Sequence, residues 1–372
     1  MTTYTGKIAS TKSQLTSYMG QVKIVASTRE LFSTIWSNQQ SIRIMRFALG
    51  VTLAVAFSAA IDWPLAFLLP ILTSVLLAMP IPRPTLKAII GSMLFTVMAF
   101  TLGLVFAIFL LPYPMAYILL LGLALFNIYY LVNRGGPFWL ALMSLLAVLI
   151  LPVLGNVQQG LAFGVAMGFI ISGWLTMAMV WIAHLMVPDL PDAPKPPKKP
   201  PMKKGFVKPA AQAALKSTIV VLPLVIMFVS FDLANQILVM VFAAIFTLQP
   251  DIAKGKEAGV NSLKSTVIGG MFAFVFYQLI VIVSVYHFFV VLMFLTTLYF
   301  GSVIFSDKPK APLYASAFST LYVLVNSSLG EGANFTSAFL LRFLFIFLAT
   351  VYVVYGLMLF ERYWPQRKVD SG

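Results

Sequence analysis

Residues 188–209 read PDLPDAPKPPKKPPMKKGFVKP, and this polar stretch interrupts a strongly apolar chain. Proline and lysine dominate it, a composition typical of an extended linker. Its lysines would also be attracted to anionic lipid headgroups. Six apolar runs precede it and six follow it. This pattern predicts two similar membrane-embedded halves joined by a cytoplasmic linker.

The twelve apolar runs account for most of the chain. They lie near residues 47–61, 64–80, 88–111, 115–132, 138–154 and 161–186, and then near 217–231, 235–249, 265–284, 287–305, 312–328 and 336–360. Hydrophobic residues make up 60% of the sequence and charged residues 10%, against about 45–50% and about 25% in soluble domains. The predicted fold class is an all-α polytopic membrane protein with about 12 transmembrane helices.

Several runs are shorter than the roughly 20 residues that a helix needs to cross hydrocarbon. Basic residues at their flanks, such as Arg43, Arg46 and Lys216, can extend them by snorkelling. We expect five segments along the chain. They are a cytoplasmic N-terminal segment (1–42) with a possible amphipathic surface helix, a first six-helix repeat (43–187), the linker (188–210), a second six-helix repeat (211–364) and a cytoplasmic tail (365–372).

The positions of the basic residues predict the orientation. With the N-terminus inside, 24 of the 25 lysines and arginines lie on the cytoplasmic side or at its edge. Arg342 is the exception and falls within a predicted span. Cytoplasmic loops carry the excess of Lys and Arg in membrane proteins. The sequence therefore predicts a multi-pass protein of the bacterial inner membrane, with both termini in the cytoplasm.

Matching residues recur in the two halves of the sequence. Asp62 precedes Pro80 by 18 residues, and Asp232 precedes Pro250 by the same 18. In addition, Ile90-Gly91-Ser92-Met93 corresponds to Ile268-Gly269-Gly270-Met271. An even number of helices in each half gives both halves the same orientation. The pattern predicts a parallel repeat whose axis lies along the membrane normal.

The second half carries the motif on which a family resemblance rests. It reads Ala213-Ala214-Leu215-Lys216, an apolar hairpin, Leu248-Gln249-Pro250, and then Gly255, Lys264 and Ile268-Gly269-Gly270. This sequence resembles the fusaric-acid-resistance-like superfamily over most of residues 43–365, in a compact, membrane-only branch. The first half departs from the pattern, with Met79-Pro80 in place of Gln-Pro. The resemblance implies efflux of small, often aromatic, organic acids, and a periplasmic adaptor partner of the membrane-fusion type.

Three residues are candidates for substrate binding. Arg342 lies well inside a predicted span, where a charge is costly and usually faces a cavity or a partner. Its guanidinium could grip a substrate carboxylate bidentately, although a structural ion pair or a contact with helix-end carbonyls would fit equally. Asn127 and Gln278 are uncharged candidates within spans. Hydrogen bonding between helices is the alternative for both.

Three acidic residues are candidates for proton coupling. Asp62 and Asp232 occupy equivalent positions at the predicted external turn of the first hairpin of each half, where helix capping is the simpler alternative. Glu331 is the third external acid, and either a solvated loop position or a pair with Arg342 would explain it. Moving one charge across 100 mV supplies about 2.3 kcal/mol, enough to drive accumulation of a substrate.

A series of small residues predicts close helix packing. Gly160, Gly164 and Gly168, followed by Ser172, repeat every four residues along one predicted span. This spacing places them on nearly one helix face, where another backbone could approach closely.

Several functional classes are not expected from the sequence. There are no cysteines and only two histidines, so we predict no metal site and no catalytic residue. No P-loop, nucleophile elbow or zinc motif occurs, so we expect neither an enzyme nor a bound cofactor. The net charge of +14 is explained by membrane orientation rather than by nucleic acid.

The sequence as a whole predicts a secondary transporter that exports a small anionic or aromatic compound, with proton coupling as a hypothesis. Its expected partners are the lipid bilayer, a small-molecule substrate and an adaptor protein. An anion channel similar to plant malate channels is one alternative. A non-transporting membrane scaffold is another.

Overall fold

The computed structural model describes eight stretches of the chain, namely residues 38–61, 65–79, 83–190, 205–234, 237–248, 252–306, 311–329 and 335–363. Asp62, Glu331, nearly all of the predicted N-terminal segment, most of the linker and the C-terminal tail lie outside them. The expectations for those residues stay predictions. The described residues form helices and contain no strand.

In the described part of the chain, six helices precede the linker. They are α1 (Gln39–Ile61), α2 (Leu68–Ala78), α3 (Leu86–Val105), which continues into a π-helical turn (Phe106–Leu110), α4 (Pro114–Asn133), α5 (Phe138–Val157) and α6 (Gln159–Met186). Thr85 caps α3 by accepting a hydrogen bond from the Ala88 amide at 3.3 Å. Pro114 begins α4, where its missing N–H costs nothing. Gly135, with φ of +85°, ends the same helix, as expected for a glycine that follows a helix C-terminus.

Among the described residues, six helices follow the linker. They are α7 (Lys208–Ser230), α8 (Ile237–Phe246), α9 (Ile252–Ile282), α10 (Tyr286–Ile304), α11 (Ala311–Ser328) and α12 (Phe335–Tyr363). The predicted all-α class with twelve helices is therefore confirmed. Nine helices in the described part of the chain are long and apolar enough to cross a membrane.

The three remaining helices are α2, α8 and α11. Helices α2 and α8 have 11 and 10 residues, or about 15–17 Å of helix, which is roughly half the thickness of the hydrocarbon core. They are the second helices of the two predicted halves. Helix α11 has 18 residues, but its serines, threonine and asparagine make it too polar to count among the nine.

The helix packing has corresponding neighbours before and after the linker. In the first six helices, α3 packs against α5 and α6, and α2 packs against α1 and α6. In the last six, α9 packs against α11 and α12, and α8 packs against α7 and α12. Contacts between helices on opposite sides of the linker also correspond. The contact of α4 with α7 corresponds to that of α10 with α1, and the contact of α2 with α11 corresponds to that of α8 with α5.

Two hydrophobic cores combine helices from both sides of the linker. One joins residues such as Leu121 of α4 and Val221 of α7. The other contains a group of phenylalanines in which the rings of Phe47 in α1 and Phe300 in α10 each lie 5.6 Å from the ring of Phe318 in α11. The two predicted halves therefore share their cores rather than folding around separate ones.

Candidate functional site

Arg342 lies within α12 and points toward α8 and α11. Its Nη2 donates a long hydrogen bond of 3.4 Å to Thr320 Oγ1 on α11. Its guanidinium carbon lies 5.6 Å from the centre of the Phe242 ring on α8. The Nε atom is buried and has no hydrogen-bond partner among the described residues. Helices α8 and α11 both also pack against helices of the first half.

The chemistry of this position follows from its partners. A threonine hydroxyl and an aromatic face are neutral, and no carboxylate within 4 Å pairs with Arg342 in the described part of the chain. Placing such a cation in the membrane costs about 2.5–3.5 kcal/mol on insertion scales. A guanidinium with a free N–H is a good receptor for a carboxylate. Arg342 can therefore bind an anion, and Phe242 can contact an aromatic ring beside it.

The other two predicted substrate residues lie elsewhere. Asn127 is exposed on α4, and its Nδ2 donates to the Leu123 carbonyl of the same helix at 2.8 Å. Gln278 is exposed on α9. Neither contacts Arg342, so the structure does not bring the three residues together. An amide satisfied within its own helix shows the same sequence pattern as one that binds a ligand, which is why sequence alone could not separate the two cases.

Asp232 ends a helix. It is exposed and has φ of +54°, a left-handed conformation that Asp tolerates better than most residues. The following amide, Leu233 N, donates to the Phe228 carbonyl at 3.0 Å, as in a helix C-terminal cap. Asp232 therefore lies just after the C-terminus of α7, and the N-terminal cap expected as its alternative role is wrong. Asp62 and Glu331, the other two candidate acids, lie outside the described residues.

The glycine series on α6 makes close contact at one position within this chain. A Cβ atom at Gly168 would lie 2.8 Å from Leu65 Cδ1, whereas nothing lies within 4 Å of one at Gly164. Gly160 and Gly164 are both exposed. Four-residue spacing advances about 40° around a helix at each step. The series therefore turns away from the face that is buried at Gly168 and Ser172.

A pocket of about 300 Å³ lies where the ends of α1, α9 and α11 meet the start of α10 and the turn before α2. We call it the outer pocket, because this end of the bundle is predicted to face the periplasm. Six residues that line it are Ser58, Ala59, Ser284, Tyr286, Tyr322 and Asn326. The rest of its wall is aliphatic or aromatic. Sequence reasoning did not find it, since its residues come from four separate parts of the chain.

Two buried cations near the opposite end of the bundle were also missed. Arg46 is 6% exposed, and its Nη2 lies 2.7 Å from Asp189 Oδ1 while its Nε donates to the Val187 carbonyl at 2.9 Å. Lys216 is 8% exposed, with its Nζ 5.7 Å from the centre of the Phe360 ring. The expected snorkelling is wrong for both. Their separation of 170 positions equals that of Asp62 and Asp232, which was the available signal.

Asp189 shows the electrostatics of this cluster. Burial acts to raise the pKa of its carboxyl group, but hydrogen bonds from Arg46 and Gln39 and the nearby positive charges outweigh burial and hold the pKa below its usual value. The carboxylate is thus charged at neutral pH. It joins the last residues after α6 to the first turns of α1, which is a structural role.

Comparison with known proteins gives one partial similarity. Residues 43–183 match the profile of a family described as "Protein of unknown function (DUF2955)". The match runs from within α1 to within α6. No curated protein matches the chain, and no solved structure matches it. The similarity is therefore confined to the first six helices and supplies no activity.

Proposed function

We propose that this chain is a secondary transporter of the bacterial inner membrane that exports small anionic, and often aromatic, organic compounds. The observation that carries the proposal is Arg342. It is a cation within a membrane helix, its Nε has no described partner, and an aromatic ring lies beside its guanidinium. Such a group would select a carboxylate and favour one attached to a ring.

The arrangement of the helices supports the same proposal. Contacts before and after the linker correspond to each other, as expected if the two halves are parallel repeats, and transport sites commonly lie where such repeats meet. Arg342 lies against α8 and α11, which both contact the other half. A substrate site at Arg342 is consistent with the resemblance of the sequence to aromatic acid exporters. In this proposal both termini are cytoplasmic, and an adaptor protein receives the substrate in the periplasm.

The decisive experiment measures export with and without Arg342. A bacterial host that lacks its own exporters would express the chain, Arg342→Ala or Arg342→Lys, and be challenged with a panel of aromatic and aliphatic carboxylic acids. We expect the chain to protect against particular acids. Arg342→Ala should lower their efflux at least about tenfold, because a charge-assisted hydrogen bond contributes about 1.5–3 kcal/mol. Arg342→Lys should fall in between, since it keeps the charge and loses the planar fork.

Arg362→Ala is the matched control, since Arg362 is an exposed arginine near the end of the same helix. Membrane levels and size-exclusion profiles of all variants would show that they fold. Unchanged efflux in Arg342→Ala would contradict the proposal. Large single-channel currents without dependence on a gradient would favour the anion channel. If neither the unaltered chain nor any variant protects the host against the acids, even with the adaptor co-expressed, a scaffold would be favoured.

Proton coupling through Asp62, Asp232 or Glu331 belongs to this proposal as a hypothesis. It predicts that export slows when the pH gradient is collapsed. It fails if a variant carrying Asp62→Asn, Asp232→Asn and Glu331→Gln exports at the normal rate with the same response to the gradient.

A further inference from the structure

The polar groups of the outer pocket fall into two kinds. Ser58 Oγ donates to the Ala66 carbonyl at 2.7 Å, and the Tyr286 hydroxyl donates to the Ala56 carbonyl at 2.9 Å. These groups are already engaged. In contrast, the Ser284 hydroxyl and the Asn326 carboxamide make no hydrogen bond with any described residue. The pocket therefore presents an amide and a hydroxyl that can still bind a ligand.

No charged side chain occurs among the described residues that line the outer pocket. Its remaining surface includes Ile280, Phe289 and Val325. An ion in such a place would lose hydration without gaining a partner, so the pocket favours an uncharged ligand. An apolar pocket with a few hydrogen-bonding groups is the usual form of a small-molecule site, and about 300 Å³ is at the small end of the range.

The outer pocket is separate from the Arg342 site. Tyr322 and Asn326 face the pocket, whereas Thr320 of the same helix contacts Arg342. At about 100° per residue, Tyr322 and Asn326 lie about 200–240° around α11 from Thr320. The two sites therefore lie on different sides of this helix, and a ligand in the pocket would not contact the guanidinium.

The repeat predicted from the sequence offers an internal comparison. At the spacing of 170 positions that relates Asp62 to Asp232, Ser58 pairs with Phe228. Phe228 is 2% exposed within a hydrophobic core. The paired position is thus filled by a large aromatic side chain, whereas Ser58 borders an open pocket.

We propose that the outer pocket binds a small uncharged aromatic compound that carries a hydroxyl or amide group. The ring would lie against Phe289 and Val325, and its polar group would hydrogen-bond with Asn326 or Ser284. The assignment rests on the proposed function in one respect, because it gives the exporter a second substrate class beside the anions that Arg342 selects. The acyl chain of a lipid is the competing ligand for a pocket with such an apolar wall.

The test is a binding measurement on the purified full chain in lipid nanodiscs. Three single-ring probes of similar size would be compared at neutral pH by saturation-transfer NMR, with empty nanodiscs as the partition control: phenol, benzamide and benzoate. In the Arg342→Ala chain, which lacks the proposed carboxylate site, we expect phenol and benzamide to bind and benzoate to bind at least about tenfold more weakly, because no described residue that lines the pocket carries a counter-charge for a carboxylate.

Three variants locate the binding. Ala59→Trp should fill the pocket and remove phenol binding. Ala59→Leu is a smaller substitution that should reduce phenol binding, and it replaces Ala59→Trp in the test if that variant does not fold. Asn326→Leu should weaken phenol binding about tenfold by removing a hydrogen bond. Asn156→Leu is the matched control, because it removes the carboxamide of another asparagine near a helix end that is bonded to the Val229 carbonyl and does not line the pocket, and it should leave phenol binding unchanged.

Equal binding of phenol and benzoate to the Arg342→Ala chain, or phenol binding that survives Ala59→Trp and Ala59→Leu, would overturn the proposal. No binding of phenol above the partition control would also overturn it and would favour a lipid chain as the occupant. Arg342→Ala should bind phenol normally. Phenol binding without export of acids would therefore reject the proposed function alone, whereas export without phenol binding would reject the pocket alone.

Discussion

Tyr117 and Tyr129 lie on the same helix, α4, and both rings are buried. The Tyr129 hydroxyl donates to the Ala244 carbonyl at 3.0 Å and lies 3.0 Å from Thr247 Oγ1. The Tyr117 hydroxyl has no hydrogen-bond partner in the described part of the chain. One helix thus offers two buried phenols that differ mainly in whether the oxygen is satisfied.

We expect Tyr129→Phe to lower the free energy of unfolding by about 1–2 kcal/mol, because it removes a buried hydrogen bond and leaves the Thr247 hydroxyl with one contact fewer. Tyr117→Phe should leave the free energy unchanged or raise it slightly, since an unpaired buried hydroxyl is unfavourable. Denaturant unfolding in detergent micelles measures both. Equal losses for the two variants would contradict this interpretation.

Individual residues differ in how well the sequence predicted them. Arg342 could be identified because a charge in the middle of an apolar run has few explanations. Arg46 and Lys216 could not, because a basic residue near the end of a run looks the same whether it reaches water or a partner. Their contacts with Asp189 and Phe360 join positions far apart in the sequence, which no local pattern reveals.

At the scale of elements, α9 approaches α11 closely at one glycine. A Cβ atom at Gly269 would overlap the Ala317 carbonyl oxygen, whereas nothing lies within 4 Å of a Cβ atom at Gly91 on α3. These two glycines are paired in the repeat predicted from the sequence. Gly269 therefore has a packing role that Gly91 does not share, despite the similar residues around them.

Gly269→Val should destabilise the protein by about 1–3 kcal/mol or more, because backbone atoms of α11 must move to admit the side chain. Gly91→Val introduces the same side chain on a helix with open space around it and should change stability by less than about 0.5 kcal/mol. Thermal unfolding of the purified variants would compare them. Similar melting temperatures for both variants would show that α9 and α11 are not tightly packed.

Helix number was predictable and helix length was not. Twelve apolar runs gave twelve helices, but the runs at 64–80 and 235–249 contain helices of only 11 and 10 residues. Apolar composition shows that a segment avoids water. It does not show whether the backbone is helical throughout, because residues buried against protein can be apolar and irregular as well.

At the scale of the whole molecule, the two halves exchange packing partners. Helix α4 packs against α7 across the linker, and α10 packs against α1. The apolar runs located the helices but did not show which helix covers which. The shared cores could therefore not be predicted from the sequence.

The shared cores predict that the linker is not needed to hold the halves together. With a protease site inserted between residues 191 and 204, the cleaved chain should elute from a size-exclusion column as one species containing both fragments. The buried contacts of α4 with α7 and of α1 with α10 would hold them. A chain with the same site left uncut is the control. Separation of the fragments in mild detergent would contradict the shared cores.

The pairing of α1 with α10 also determines the order in which the protein can be completed. Thr52 on α1 lies 3.1 Å, oxygen to oxygen, from Thr297 on α10, and both side chains are buried. The ribosome must add more than 200 residues after Thr52 before this partner exists. During that interval a hydroxyl-bearing face of the first membrane helix borders lipid or the insertion machinery. A nascent chain that stalls at the linker would thus display this uncovered face, a mark by which a membrane protease could distinguish an unfinished molecule from a finished one.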